Sequence, residues 1–430
     1  MMIQAIAILM GLVILSVPIA AVLGWLGLFM SNFHSFMPLH LAIGDIFWQN
    51  SIEFLLVAIP MFVLMGEILL RAGITERMYE GMVQWLGWLP GGLMHSNIGA
   101  CALFAATSGS SVATAATIGT VALPEVEKRG YNERLFLGTI AAGGTLGILI
   151  PPSINLIIYG LLTDTSVPEL YLAGFLPGLL LALLFMTTVA IACFFRPKWD
   201  GDPVPQDWGA KIRSLSGLLP PLGIFLVVVG SIYAPSVGVA TPTEGASLGV
   251  IASLMLAAQN HTLTVEMLKL AFEGTMRTTA MIMLIILAAI FLNFILAAVG
   301  LTQALADFIT SLGWSPMQTM FAIVVFYIIL GCFMETLSML LTTAPLIAPV
   351  VIQLGFDPVW FGIVLMVLLE AALITPPIGI NLYVVQGIRK RGGLNDVMIG
   401  TLPFVLAMFA MVGLLLAFPD IALWLPNLFY

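Results

Sequence analysis

Of the three tandem prolines in a chain of 430 residues, Pro151-Pro152 and Pro376-Pro377 stand 225 residues apart in matching surroundings. Each interrupts a stretch otherwise apolar enough to be one helix. Tandem proline removes two backbone donors and clashes with the carbonyls one turn back, so neither stretch can be a regular helix. The surroundings of the two breaks match. Asn155-Leu156 follows the first and Asn381-Leu382 the second, then Gly174-x-Leu176-Pro177 and Gly400-x-Leu402-Pro403, with 22 residues from asparagine to last proline in both. Earlier landmarks pair as well: Gly73 with Gly300, Leu86-Gly87-Trp88 with Leu312-Gly313-Trp314, Pro124 and Gly130 with Pro349 and Gly355, at offsets between 225 and 227. A duplicated membrane unit with a broken helix at equivalent places points to a secondary transporter.

The membrane setting follows from composition. Only 8% of residues are charged and the mean hydropathy is +1.11, against about 25% charged in soluble domains. Apolar stretches of roughly 17–25 residues recur, each long enough to cross the hydrocarbon as a helix. Residues 3–30 lack a basic leader region and read as a retained membrane segment, either one long span or two short segments. No basic nucleic-acid surface is present. Cys101, Cys193 and Cys332 lie in apolar runs and read as packing residues. His34, His40 and His95 fall near segment ends, with no second ligand at helical spacing.

All 14 Lys and Arg residues fall into five clusters: Arg71/Arg77, Lys128/Arg129/Arg134, Arg196 to Arg213, Lys269/Arg277 and Arg389 to Arg391. Loops at 31–50, 161–170, 234–243, 300–316 and 354–358 have none. Basic loops stay in the cytoplasm, so the clusters mark the inside. Between Arg77 and Lys128 the chain starts and ends inside, yet its apolar run is broken at Ser108-Gly109-Ser110-Ser111. The arm from Ser111 to Pro124, roughly 20 Å of helix, is too short to span and predicts a re-entrant hairpin. The matching stretch of the second copy is interrupted at Gly331 to Thr336 between loops without Lys or Arg, so that hairpin enters from outside. The expected fold is an all-α polytopic membrane protein, an inverted-repeat elevator-type secondary transporter with two re-entrant hairpins and two Pro-Pro broken helices. A parallel repeat of ordinary short helices is the alternative. Residues 1–50 form an N-terminal membrane segment, and 51–195 the first repeat, with its hairpin near 98–124 and broken helix at 135–163. A cytoplasmic linker and connecting helices occupy 196–278. The second repeat covers 279–430, with its hairpin near 318–353 and broken helix at 358–387.

Carbonyls freed at a break are costly in hydrocarbon unless satisfied. A cation often satisfies them in broken transporter helices, while half-helix N-termini face anionic substrate groups. A hairpin tip facing each break gives a cage of hydroxyl, amide and carbonyl oxygens, suited to sodium rather than a transition metal. The alternative is a proline kink satisfied by neighbouring Ser/Thr and water. Asn155 and Asn381 are the leading substrate-binding residues. Among the intramembrane acids, Glu67 pairs with Arg71 one turn on. Glu335 sits at the second tip, where binding and simple hydration are both open, and Glu370 is expected to pair with a polar neighbour. Asn293 and Tyr159 are weaker candidates.

The runs Ser108 to Gly119, Leu123 to Tyr131, Gly143 to Tyr159 and Ile374 to Tyr383 resemble the large membrane subunit of tripartite ATP-independent periplasmic (TRAP) transporters, over nearly the whole chain. The resemblance implies sodium-coupled uptake of a small organic acid by an elevator movement in the bacterial cytoplasmic membrane. It implies two partners, a small four-helix membrane subunit and a periplasmic substrate-binding protein. It also implies one sodium site at Ser108, Ser111 and Gly144, and another at Gly331, Met334, Thr336, Thr375 and Ile378. Substrate would bind between the tips, near Asn155, Asn381, Ser110 and Glu335. A stand-alone sodium–dicarboxylate symporter of related architecture is the rival. An intramembrane protease would need a zinc motif, an aspartate pair or a Gly-x-Ser-Gly nucleophile, and an ATP-driven pump a Walker loop; none is present.

Overall fold

The computed structural model describes residues 2–15, 17–202, 204–205, 207–233 and 240–430. Its described regular structure is helical. Ahead of the first repeat come α1 (Met2–Ile14), α2 (Ile19–His34) and α3 (Ile43–Ser51). The first repeat runs through α4 (Ala58–Arg71), α5 (Ile74–Leu86), α6 (Leu93–Ser108), α7 (Ser111–Arg129), α8 (Glu133–Thr145), α9 (Ile154–Thr163) and α10 (Val167–Phe195). Connecting helices α11 (Trp208–Tyr233) and α12 (Pro242–Gln259) precede the long α13 (Val265–Ala298). Then follow α14 (Leu301–Ser311), α15 (Pro316–Gly331), α16 (Thr336–Gln353), α17 (Pro358–Ile374), α18 (Ile380–Arg389), α19 (Leu394–Ala417) and α20 (Asp420–Phe429). Helices α5–α10 and α14–α19 correspond one to one, so the repeat seen in sequence is a repeat of helices.

Local chemistry sets the ends. Asn132 caps α8 by accepting from Leu135 N, and Asp357 caps α17 by accepting from Val359 N and Trp360 N. Tandem proline ends α8 at Thr145 and α17 at Ile374, and both Pro–Pro bonds are cis. Among the described residues, six helices are long and apolar enough to span, including α10, α11, α13, α16 and α19.

The two repeats interlock. α8 packs on α19 and α10 on α17, while α7 packs on α18 and α9 on α16. At the first crossing Gly138 and Gly400 bring backbones into contact, since a Cβ on Gly138 would strike the Gly400 carbonyl. Every residue of α17 from Val359 to Ile374 is buried, as is α8 from Leu135 to Thr145. The approaches to both breaks thus form the centre of the protein. Arg389, 6% exposed, ties α18 to α8 through Glu133 (3.0 Å) and to the start of α19 through Asp396 (3.2 Å). A second layer, in which α13 packs on α2 and α4 while α12 packs on α4 and α11, flanks that centre.

Two features differ from expectation, and the choice left open for residues 3–30, between one long span and two short segments, is resolved. The helix begun at Ser111 runs through Pro124 to Arg129, where Glu125 pairs with Lys128 (2.9 Å) and Arg129 (3.0 Å), and α16 is 18 residues long. Arm length therefore does not by itself mark either helix pair as re-entrant. Residues 3–30 form two helices separated at Pro18. The boundary drawn at 278/279 falls inside α13.

Candidate functional site

The α6–α7 and α15–α16 turns meet at one cavity of about 440 Å³. Ser108, Gly109, Ser110 and Ser111 line it from the first turn, Glu335 and Thr336 from the second, and Asn155 from the start of α9. Gly66 and Glu67 of α4 and Thr278 and Met281 of α13 close the remaining wall. The cavity therefore lies between the interlocked repeats and the flanking layer.

Glycines let the first turn sink into the first break. Gly109 has φ +60°, and a Cβ there would lie 2.9 Å from Pro152 O. At Gly147 a Cβ would lie 3.0 Å from Ser111 N, and at Gly66 3.1 Å from Ser108 Cα. Ser111 Oγ donates to Thr145 O at 3.1 Å, while Ser108 Oγ and Thr114 Oγ1 are 3.2 Å apart. At the second break a Cβ on Gly379 would lie 2.9 Å from Leu373 O and 3.1 Å from Thr375 O, so two carbonyls crowd that glycine. Thr375 Oγ1 donates back to Ala371 O at 2.7 Å. Hydroxyl and carbonyl oxygens are thus concentrated at each break, the donor set a hard monovalent cation takes.

Three helix N-termini open on the cavity: Ser111 to Ala113 of α7, Ile154 and Asn155 of α9, and Thr336 and Leu337 of α16. Each carries partial positive charge and favours an anion. Ser110 caps α7 and Glu335 caps α16, whereas α9 has no side-chain cap. Among the described residues, the only charged ones lining the cavity are Glu67 and Glu335. Glu67 is paired with Arg71 at 2.7 Å, and Glu335 accepts from Thr336 Oγ1 (3.0 Å) and from Ser338 N and Oγ (3.1 and 3.2 Å).

Ser108, Ser110, Ser111, Asn155, Glu335 and Thr336, expected at two ion sites and a substrate site, all line this one cavity. The others stand apart from it. Gly144 lies behind the first turn, where a Cβ would meet Ala115 Cβ at 2.6 Å. Gly331 packs on Ala372, Met334 is buried, Thr375 is half-buried and Ile378 is exposed, none of them lining the cavity. Asn381 is the clearest divergence: it is fully buried and its Nδ2 donates to Ala141 O of α8 at 3.1 Å. Glu370 does not find the expected polar neighbour. It is fully buried, its two carboxyl oxygens lack a hydrogen-bond partner among the described residues, and the backbone of Leu149 lies beside it. Sequence reasoning missed Glu67, Thr278 and Met281 as cavity wall. Gly66 beside Glu67 was the available signal, since it lets the first turn reach α4.

Residues 6–421 match the family model of the tripartite ATP-independent periplasmic transporter, DctM component. The chain belongs to this family. The C4-dicarboxylate TRAP transporter large permease protein DctM of Rhodobacter capsulatus is 35% identical over 87% of this chain and 88% of its own length. The sialic acid TRAP transporter large permease protein SiaM of Vibrio cholerae is 32% identical over 96% of this chain and 99% of its own. The ectoine TRAP transporter large permease protein TeaC of Halomonas elongata is 31% identical over 87% and 86%. Among solved structures, the YdaH transporter of Alcanivorax borkumensis superposes with a TM-score of 0.66 over 96% of this chain and 98% of that one, at 16% identity, which shows a shared fold. The resemblance read from the motifs therefore holds. This TRAP permease is a multi-pass protein of the inner membrane and a transporter, not an enzyme.

Proposed function

We propose that this TRAP permease takes up a small organic acid in symport with sodium, receiving it from a periplasmic binding protein and working with a small four-helix membrane subunit. The observation that carries this reading is the convergence of three helix N-termini and the free Asn155 amide on one cavity between the two turns. That arrangement suits a carboxylate. Sodium is the fitting coupling ion for the hydroxyl and carbonyl oxygens at each break, with Ser108, Ser111 and Thr145 O at the first and Thr375 and Leu373 O at the second.

Both turns line a cavity inside the bundle, which supports two re-entrant hairpins whose tips meet at mid-depth. The alternation of Lys/Arg-rich and Lys/Arg-free loops supports opposite entry sides for the two. The cavity wall is divided between the interlocked repeats and the α4–α13 layer. Sliding of the first unit past the second would carry the bound acid across, which is the elevator movement.

Thermal unfolding of the purified permease in sodium chloride against matched potassium chloride tests the coupling ion. A saturable, sodium-specific rise in midpoint is expected, blunted in Ser111→Ala and Thr375→Val. Equal midpoints in the two salts, with and without the small subunit, would remove sodium from the proposal.

A further inference from the structure

The cavity has an unusual charge balance for a carrier of acids. None of its described lining residues is Lys, Arg or His. Its only side-chain charges are two carboxylates, and they differ in their neighbours. Glu67 is held by the Arg71 guanidinium at 2.7 Å, so its charge is matched within the protein. Glu335 is held only by Thr336, Ser338 and a backbone amide, and it has no cationic side chain beside it among the described residues.

Positive character comes only from the N-termini of α7, α9 and α16. Glu335 itself occupies the N-terminus of α16, which leaves α7 and α9. The α9 terminus has no capping side chain. Beside it, Asn155 is 9% exposed and lines the cavity, and its side chain has no hydrogen-bond partner among the described residues. Its amide faces the cavity unmatched by the protein, which leaves its NH2 donors for a ligand. One end of the cavity is therefore built to receive one carboxylate. A second carboxylate on the same molecule would meet no cationic side chain, and the unmatched charge of Glu335 would oppose it.

We propose that the substrate of this cavity is a zwitterion, a single carboxylate held by Asn155 and the α9 N-terminus with a cationic nitrogen group matched by Glu335. This rests on the reading of the chain as a carboxylate transporter and narrows the class of acid. Discrimination follows from charge. The site leaves Glu335 unpaired with a monocarboxylate and sets like charges together with a dicarboxylate, and both are selected against. A sodium ion at Glu335 instead of a substrate nitrogen is the competing arrangement, and the test separates the two.

The purified permease, saturated with sodium, is assayed by thermal unfolding with four probes: ectoine (one carboxylate and a cationic amidinium), acetate, succinate and choline. Ectoine is expected to raise the midpoint in a saturable way, and succinate, acetate and choline to leave it unchanged. Glu335→Gln keeps an acceptor for Ser338 N, so it should fold, and it should weaken ectoine by about tenfold or more while leaving the sodium response intact. Stabilisation by succinate or acetate but not ectoine would overturn the zwitterion while sparing the carboxylate reading. Stabilisation by choline alone, or by none of the four, would count against both. Loss of the sodium response in Glu335→Gln with ectoine binding retained would assign Glu335 to the ion and also overturn the proposal.

Discussion

Substituting Gly144 by alanine probes the seam between the first turn and its broken helix. A Cβ at Gly144 would stand 2.6 Å from Ala115 Cβ and 3.1 Å from Ala115 Cα. Carbon contacts settle at about 3.5–4.0 Å, so α7 and α8 must part by roughly 1 Å. Overpacking of this kind costs about 1–3 kcal/mol, and the helix propensity gained on replacing glycine offsets up to ~1 kcal/mol of it. The net loss is about 1–2 kcal/mol, or roughly 1–4 °C in midpoint for a chain this long. The same displacement draws Ser111 Oγ away from Thr145 O, now 3.1 Å apart, so the sodium response should shrink as well. In a Cys332→Ser background, which removes the half-buried thiol, a maleimide dye that fluoresces on reacting with thiols gives the readout, because Cys101 is 0% and Cys193 3% exposed until the protein unfolds. Gly413→Ala in α19 is the control, since a Cβ there meets nothing within 4 Å, and its midpoint should hold or rise. A Gly144→Ala midpoint equal to or above that of Gly413→Ala would refute the close packing of turn and break.

The two asparagines should separate. Asn155→Ala removes an amide with no protein partner and should leave the midpoint unchanged while weakening substrate about tenfold or more, read by ligand-induced stabilisation. Asn381→Ala removes the bond to Ala141 O and should cost about 1–2 kcal/mol of stability, read by the same dye assay. Arg389→Gln breaks the ion pairs to Glu133 and Asp396 that tie α18 to α8 and α19, and the midpoint should fall relative to the wild type in the same dye assay.

Much of the architecture was legible because it rests on local rules. Both breaks lay open in the sequence because each tandem proline has its match in the other copy, whereas the unmatched Pro220-Pro221 sits inside α11. The constant offset between copies carried over to helices α5–α10 and α14–α19. Short hydroxyl-rich and acidic interruptions marked both turns, and Ser108, Ser110, Ser111 and Glu335 do line the cavity. What failed needed three dimensions. Asn155 and Asn381 are equivalent in the repeat, but only Asn155 faces the cavity, because Ala141 O of α8 takes up the Asn381 amide. Glu67 read as half of an ion pair, which it is, but the pairing concealed that α4 also closes the cavity. Pro124 looked like a helix end, yet helices tolerate a proline when packing and flanking ion pairs sustain them, and Glu125 with Lys128 and Arg129 does so here.

Uptake into vesicles carrying the permease and its small subunit, with the binding protein supplied outside, tests the central claim most directly. The ligand is the acid that stabilises the permease, driven by an inward sodium gradient and compared with an equal potassium gradient. Accumulation with sodium alone, lost in Asn155→Ala at unchanged protein level, is the predicted result. Equal uptake under both gradients, or full uptake by Asn155→Ala, would contradict sodium-coupled passage of a carboxylate through the cavity between the two turns.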